Sequence, residues 1–155
     1  SRRKRAHFMG IKQTESDFVF TTKMRFNPSH DESTAGIAIV QKDENYVSFS
    51  VRKEADGMLV EVLHNKKKVQ TIKAHKLNSY KGEIRFKLVS ANDTYTFSYA
   101  TKGKRYKVLT TTPADLVLFS GFTGAHIGLY ATSNGQDNND FSDYDWINYI
   151  PKPRK

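Results

Sequence analysis

Asp140, Asp143 and Asp145 lie close together near the C-terminal end of the chain, in "NDFSDYDWINYI". Their type and spacing invite chemistry. On an extended strand Asp143 and Asp145 fall on one face, about 6.5–7 Å apart. Two carboxyl groups so placed could act as acid and base on a glycosidic bond. They could also hold a hard cation, which prefers oxygen ligands. In that case Asp145 is the strand ligand of a structural calcium, with backbone oxygens near Glu15 completing the shell. The plainer alternative is that one acid caps a turn and another pairs with a basic residue.

Other chemistry has less support. His7, His30, His64, His75 and His126 are scattered, with no HxxxH or HExxH spacing, so nothing brings several zinc ligands to one point. The chain has no cysteine, which removes disulfides and thiolate nucleophiles and leaves the compartment open. There is no GxSxG elbow, P-loop or dinucleotide fingerprint. No catalytic residue is therefore assigned, and no cofactor is required. Asn92-Asp93-Thr94 is a glycosylation sequon at an expected turn, a weak signal by itself. Tyr46, Tyr130 and Trp146, with Tyr80, Tyr106 and Tyr144, could stack on sugar rings. Aromatics also favour sheets for packing reasons alone, so core or cross-strand pairing is the competing reading.

The formal net charge is +9, which raises the question of nucleic acid. Seven of the 25 basic residues sit at the ends: Arg2, Arg3, Lys4, Arg5, Lys152, Arg154 and Lys155. That leaves 18 against 16 acidic residues in the body. Charge gathered in tails reads as solvated or docking arms, so no nucleic-acid partner is expected. No apolar run approaches the length of a membrane-spanning helix, and no membrane partner is expected.

The elements that must position these residues repeat with period two. In "DFVFTTKMRF", Phe18, Phe20, Met24 and Phe26 share one face. "NYVSFSVR" sets Val47, Phe49 and Val51 against Ser48 and Ser50, and "EIRFKLVS" and "DTYTFSYA" alternate likewise. "TAGIAIVQ" is apolar on both faces and reads as a central strand. "GMLVEVLH", "AHIGLYAT" and "SDYDWINYI" complete the series. Asp56-Gly57, Asn65 with three lysines, Asn92-Asp93 and Lys102-Gly103 punctuate hairpins. Leu116 to Phe119 fits a short helix or an apolar loop. The prediction is all-β: an antiparallel two-sheet sandwich forming one domain over 1–155, with a basic arm at 1–8 and a basic tail at 151–155.

"SGFTGAHIGLYATSNGQDNNDFSDYDWINY" resembles the C-terminal concanavalin A-like β-sandwich of family 43 glycoside hydrolases, the β-xylosidases and α-L-arabinofuranosidases. Three blocks carry the likeness: "FTGAHIGLYAT" followed by "NG", "DFSDYDWINY", and "AGIAIVQKDENYVSFSV". "FVFTTKMRFNP", "RRKRAHF" and "SYATKGKRYKVL" extend it, so that it spans Arg2 to Tyr149. The strongly basic "RRKRAHF" departs from the family pattern. The resemblance implies a jelly-roll sandwich with no catalytic residues of its own, ancillary to a catalytic β-propeller in the same gene product. It also implies that a loop of the sandwich, matching Gly121, Phe122, Thr123 and Gly124, closes one side of the substrate pocket and offers Phe122 to it. The two glycines would let that backbone turn tightly. A buried Phe122 beneath the loop is the alternative. An autonomous carbohydrate-binding module, holding oligosaccharide on Tyr46, Tyr130 and Trp146, is the second functional reading. Homo-oligomerisation is left open.

Overall fold

The computed structural model describes residues 6–12, 17–42, 45–116, 126–132 and 142–152. The described residues form eleven strands: β1 (Ala6–Lys12), β2 (Phe18–Phe26), β3 (Thr34–Lys42), β4 (Asn45–Glu54), β5 (Gly57–Asn65), β6 (Val69–Leu77), β7 (Glu83–Ala91), β8 (Thr94–Ala100), β9 (Lys107–Pro113), β10 (His126–Thr132) and β11 (Ser142–Pro151). One 3-10 turn, Ala114–Leu116, follows β9. The fold is the expected all-β concanavalin A-like sandwich.

Six strands form one sheet in the order β1-β10-β3-β4-β5-β6, and five form the other in the order β11-β2-β7-β8-β9. Every pairing is antiparallel. The period-two pattern becomes the layering. On β2, Phe18, Phe20, Met24 and Phe26 turn inward, and on β7 so do Ile84, Phe86 and Leu88. They meet Ile37, Ile39, Val47, Phe49 and Val51 of the facing sheet. Phe49 stands edge-on to Phe86 and Phe97, with ring centroids 4.8 and 5.3 Å apart. Edge-to-face rings attract beyond the area they bury, by about 0.5–1.5 kcal/mol a pair.

The central placement of β3, between β10 and β4, follows from its apolar residues on both faces. Edges differ in character. β6 is almost wholly exposed and carries Lys73 and Lys76, the charge that deters another chain from adding a strand. This strand lacks a clear alternation and was not among the periodic runs read in the sequence. β1 starts at Ala6, so the last three residues of the expected basic arm belong to a strand paired with β10. β9 ends on Pro113 and β11 on Pro151, where the missing N–H breaks no inner ladder.

Between Tyr144 and Trp146 the pairing of β11 with β2 shifts register. Asp143 lies opposite Arg25, Tyr144 opposite Met24 and Trp146 opposite Lys23, leaving Asp145 as the extra residue of a β-bulge. The simple alternation that set Asp143 and Asp145 on one face is interrupted there.

Candidate functional site

The strand register builds a trough on the outer face of the six-stranded sheet. One row crosses four strands: Tyr130 on β10, Gly36 on β3, Ser50 on β4 and Glu61 on β5. The neighbouring residues of the two central strands are also small, with Thr34 and Ala38 on β3 and Ser48 on β4. Taller side chains stand around them: Tyr46, Arg52, Leu63 and Tyr130. The result is a cavity of about 370 Å³, whose far wall includes Val69 and Thr71 of β6.

Gly36 is required for this geometry. A Cβ there would meet the Phe49 carbonyl oxygen and lie 2.5 Å from the Ser50 Cα, both backbone atoms. The Gly36 carbonyl is also 2.7 Å from the hydroxyl of Tyr144, which reaches across from β11 of the other sheet and lies 3.0 Å from the Tyr130 carbonyl as well.

The floor is polar although it is shielded from solvent. Ser48 is 2 % exposed, Ser50 1 % and Glu61 3 %. The Glu61 carboxylate accepts two hydrogen bonds from the Arg52 guanidinium, at 2.8 and 3.3 Å. Arg52 donates a third at 3.1 Å to Glu32 on the rim. The bond to Glu61 and the surrounding carboxylates raise the Arg52 pKa despite partial burial. Burial raises the pKa of Tyr46. Burial chiefly, then Tyr46 and the Glu61 charge, raises that of Tyr130. Both phenols are thus neutral donors and acceptors across the physiological range.

The other aromatics have other duties. Trp146 lies on the five-stranded sheet, opposite Lys23, with the Arg85 guanidinium carbon 5.5 Å from its ring centroid. Its carbonyl accepts a 2.7 Å hydrogen bond from Thr22. The Lys87 ammonium sits 5.3 Å from the Tyr106 ring centroid on the same sheet. Tyr80 donates to the Phe26 carbonyl, and Tyr144 ties the sheets together as above. Of the three aromatics assigned to sugar stacking, the structure brings Tyr46 and Tyr130 together and places Trp146 elsewhere.

Gly121, Phe122, Thr123, Gly124, Glu15 and Asp140 lie outside the described residues, and of Asp145 the structure gives the strand position. Among the described residues, no group of three histidine, aspartate or glutamate side chains is arranged to hold a metal ion. Sequence reading missed Arg52 and Glu61. The available signal was an acid between Val60 and Val62, on a strand pairing with one whose outward residues are serines.

The family described as "Beta xylosidase C-terminal Concanavalin A-like domain" matches residues 1–150. The chain belongs to this family. It is 27 % identical over 146 residues to a non-reducing end alpha-L-arabinofuranosidase of Bacteroides ovatus, covering 92 % of this chain and 27 % of that protein. It is 28 % identical over 145 residues to a xylosidase/arabinosidase of Butyrivibrio fibrisolvens, covering 90 % of this chain and 28 % of the relative. The solved structure of Bacteroides ovatus xyloglucan PUL GH43B superposes with a TM-score of 0.80 at 26 % identity, covering 94 % of this chain and 29 % of that one. The chain thus spans little more than a quarter of the length of the curated relatives it matches. Members of the family are domains of larger family 43 hydrolases, and the catalytic propeller is not part of this chain.

Proposed function

We propose that this chain is the ancillary domain of a family 43 glycoside hydrolase of the β-xylosidase/α-L-arabinofuranosidase class, packing on the catalytic propeller and shaping its substrate pocket without cleaving glycosides itself. The observation that carries the reading is the coverage: the matches take in 92 and 90 % of this chain but little more than a quarter of two hydrolases. A surface feature supports it. β11 lies at the edge of its sheet and exposes Trp146, Ile147 and Ile150, at 37, 41 and 47 %. Apolar side chains on an unpaired edge are a liability unless another surface covers them. The catalytic domain is the occupant this reading gives them, and on the same reading the loop at 121–124 would offer Phe122 to the substrate pocket.

The test is to produce this chain and the catalytic domain of its own gene product as two polypeptides. They should co-elute on gel filtration, and Trp146→Ala with Ile150→Ser should weaken their association at least tenfold. This chain by itself should release no aryl product from aryl β-xyloside or aryl α-L-arabinofuranoside above the buffer rate. Separate elution, or turnover by the isolated chain, would overturn the proposal.

A further inference from the structure

The trough on the six-stranded sheet has features that packing on a catalytic domain does not require. Polar side chains form its floor below the surface, Ser48, Ser50 and Glu61 among them. Its charged groups are already engaged with one another, with Glu61 held by Arg52 and Arg52 held in turn by Glu32. A strong anion would meet two carboxylates there, and a cation would have to displace the guanidinium. A neutral ligand rich in hydroxyls meets neither obstacle, because each hydroxyl can donate to a carboxylate oxygen and accept from a guanidinium, serine or tyrosine group. Tyr46 and Tyr130 add half-buried aromatic rings beside this floor, and Leu63 and Val69 add apolar surface opposite. The volume of about 370 Å³ lies at the lower end of the range of small-molecule pockets, roughly 300–1,000 Å³.

We infer that this trough is a binding site for a short neutral oligosaccharide, walled by Tyr46 and Tyr130 and floored by Ser48, Ser50 and the Arg52–Glu61 pair. The small residues of β3 and β4 make the room, and the ion pair fixes the polar groups in advance of binding, which lowers the ordering cost. Trp146 takes no part. It lies on the other sheet with Arg85 over its ring. The inference therefore stands or falls separately from the packing role of β11.

The experiment is a titration of the 15N-labelled chain with xylotetraose, arabinotetraose and cellotetraose, with tetragalacturonate as the charged control. At least one neutral tetrasaccharide should shift the amides of Gly36, Ser48, Ser50 and Glu61 and leave those of Trp146 to Ile150 in place. Tyr46→Ala should weaken that binding at least tenfold. Tyr46→Phe should stay within threefold, and Trp146→Ala should leave it unchanged. Thr71 is exposed on the far wall, so Thr71→Arg obstructs the trough without touching the core and serves as the test if Tyr46→Ala loses its dispersed spectrum. The inference is overturned by an absence of shifts with all three neutral sugars at millimolar concentration, by shifts confined to β11, or by tetragalacturonate binding as well as they do.

Discussion

The Tyr144 hydroxyl lies 2.7 Å from the carbonyl oxygen of Gly36, so an edge strand of one sheet is tied to a central strand of the other. The same hydroxyl is 3.0 Å from the Tyr130 carbonyl on β10. One phenol therefore braces, from the inner side, the two strands that form one wall and part of the floor of the trough. Tyr144→Phe keeps the ring and removes this brace. A net loss of about 0.5–1.5 kcal/mol is expected for the hydrogen bond, read as a lower urea midpoint with an unchanged slope.

The Arg52–Glu61 pair predicts an asymmetry. The Glu61 side chain is 4 % exposed and that of Arg52 25 %. Arg52→Leu strands a buried carboxylate and should cost about 3–5 kcal/mol, the range for breaking a buried pair from one side. Glu61→Leu leaves an arginine that still reaches solvent and Glu32 and should cost less, about 1–3 kcal/mol. The double replacement should be more stable than Arg52→Leu. Urea unfolding of the three variants checks the order, and a Glu61→Leu protein less stable than Arg52→Leu would contradict it.

His64 gives a modest dependence on pH. Its Nε2 is 2.9 Å from the Asn45 side-chain oxygen. Burial, and then the charge of Lys66, lowers its pKa below the ordinary 6.5. The folded protein thus binds this proton less readily than the unfolded chain does. Its stabilising contribution is complete above pH 6.5 and is lost as pH falls through the lowered folded value. The urea midpoint should drop slightly between pH 7.5 and 5, and His64→Gln should flatten that part of the profile. A midpoint that rises on acidification through this window, or one that falls no more in the wild type than in the variant, would reverse the assignment.

The layering of the sandwich was legible because burial on one face writes itself into the sequence at every second residue. Phe18, Phe20, Met24 and Phe26 announce β2, and Asp56-Gly57 and Asn92-Asp93 mark the hairpins that join β4 to β5 and β7 to β8. Where a strand buries little, that signal fades. β6 is exposed along most of its length, so its residues answer to solvent rather than to a core. The bulge at Asp145 was hidden for a related reason, since an inserted residue is defined by its partner strand and not by its own neighbours.

By itself, then, the sequence determined that the chain alternates into two antiparallel layers, and its distributed pattern pointed to the family. Which outward residues meet was decided by tertiary structure. Tyr130 and Gly36 are 94 positions apart in the chain, Gly36 and Ser50 are 14 and Ser50 and Glu61 are 11, yet they form one row. Periodicity tells each residue which face it occupies. Strand order and register choose its neighbours on that face, because those depend on long-range pairings that bring β10 beside β3 and carry β11 to the opposite sheet.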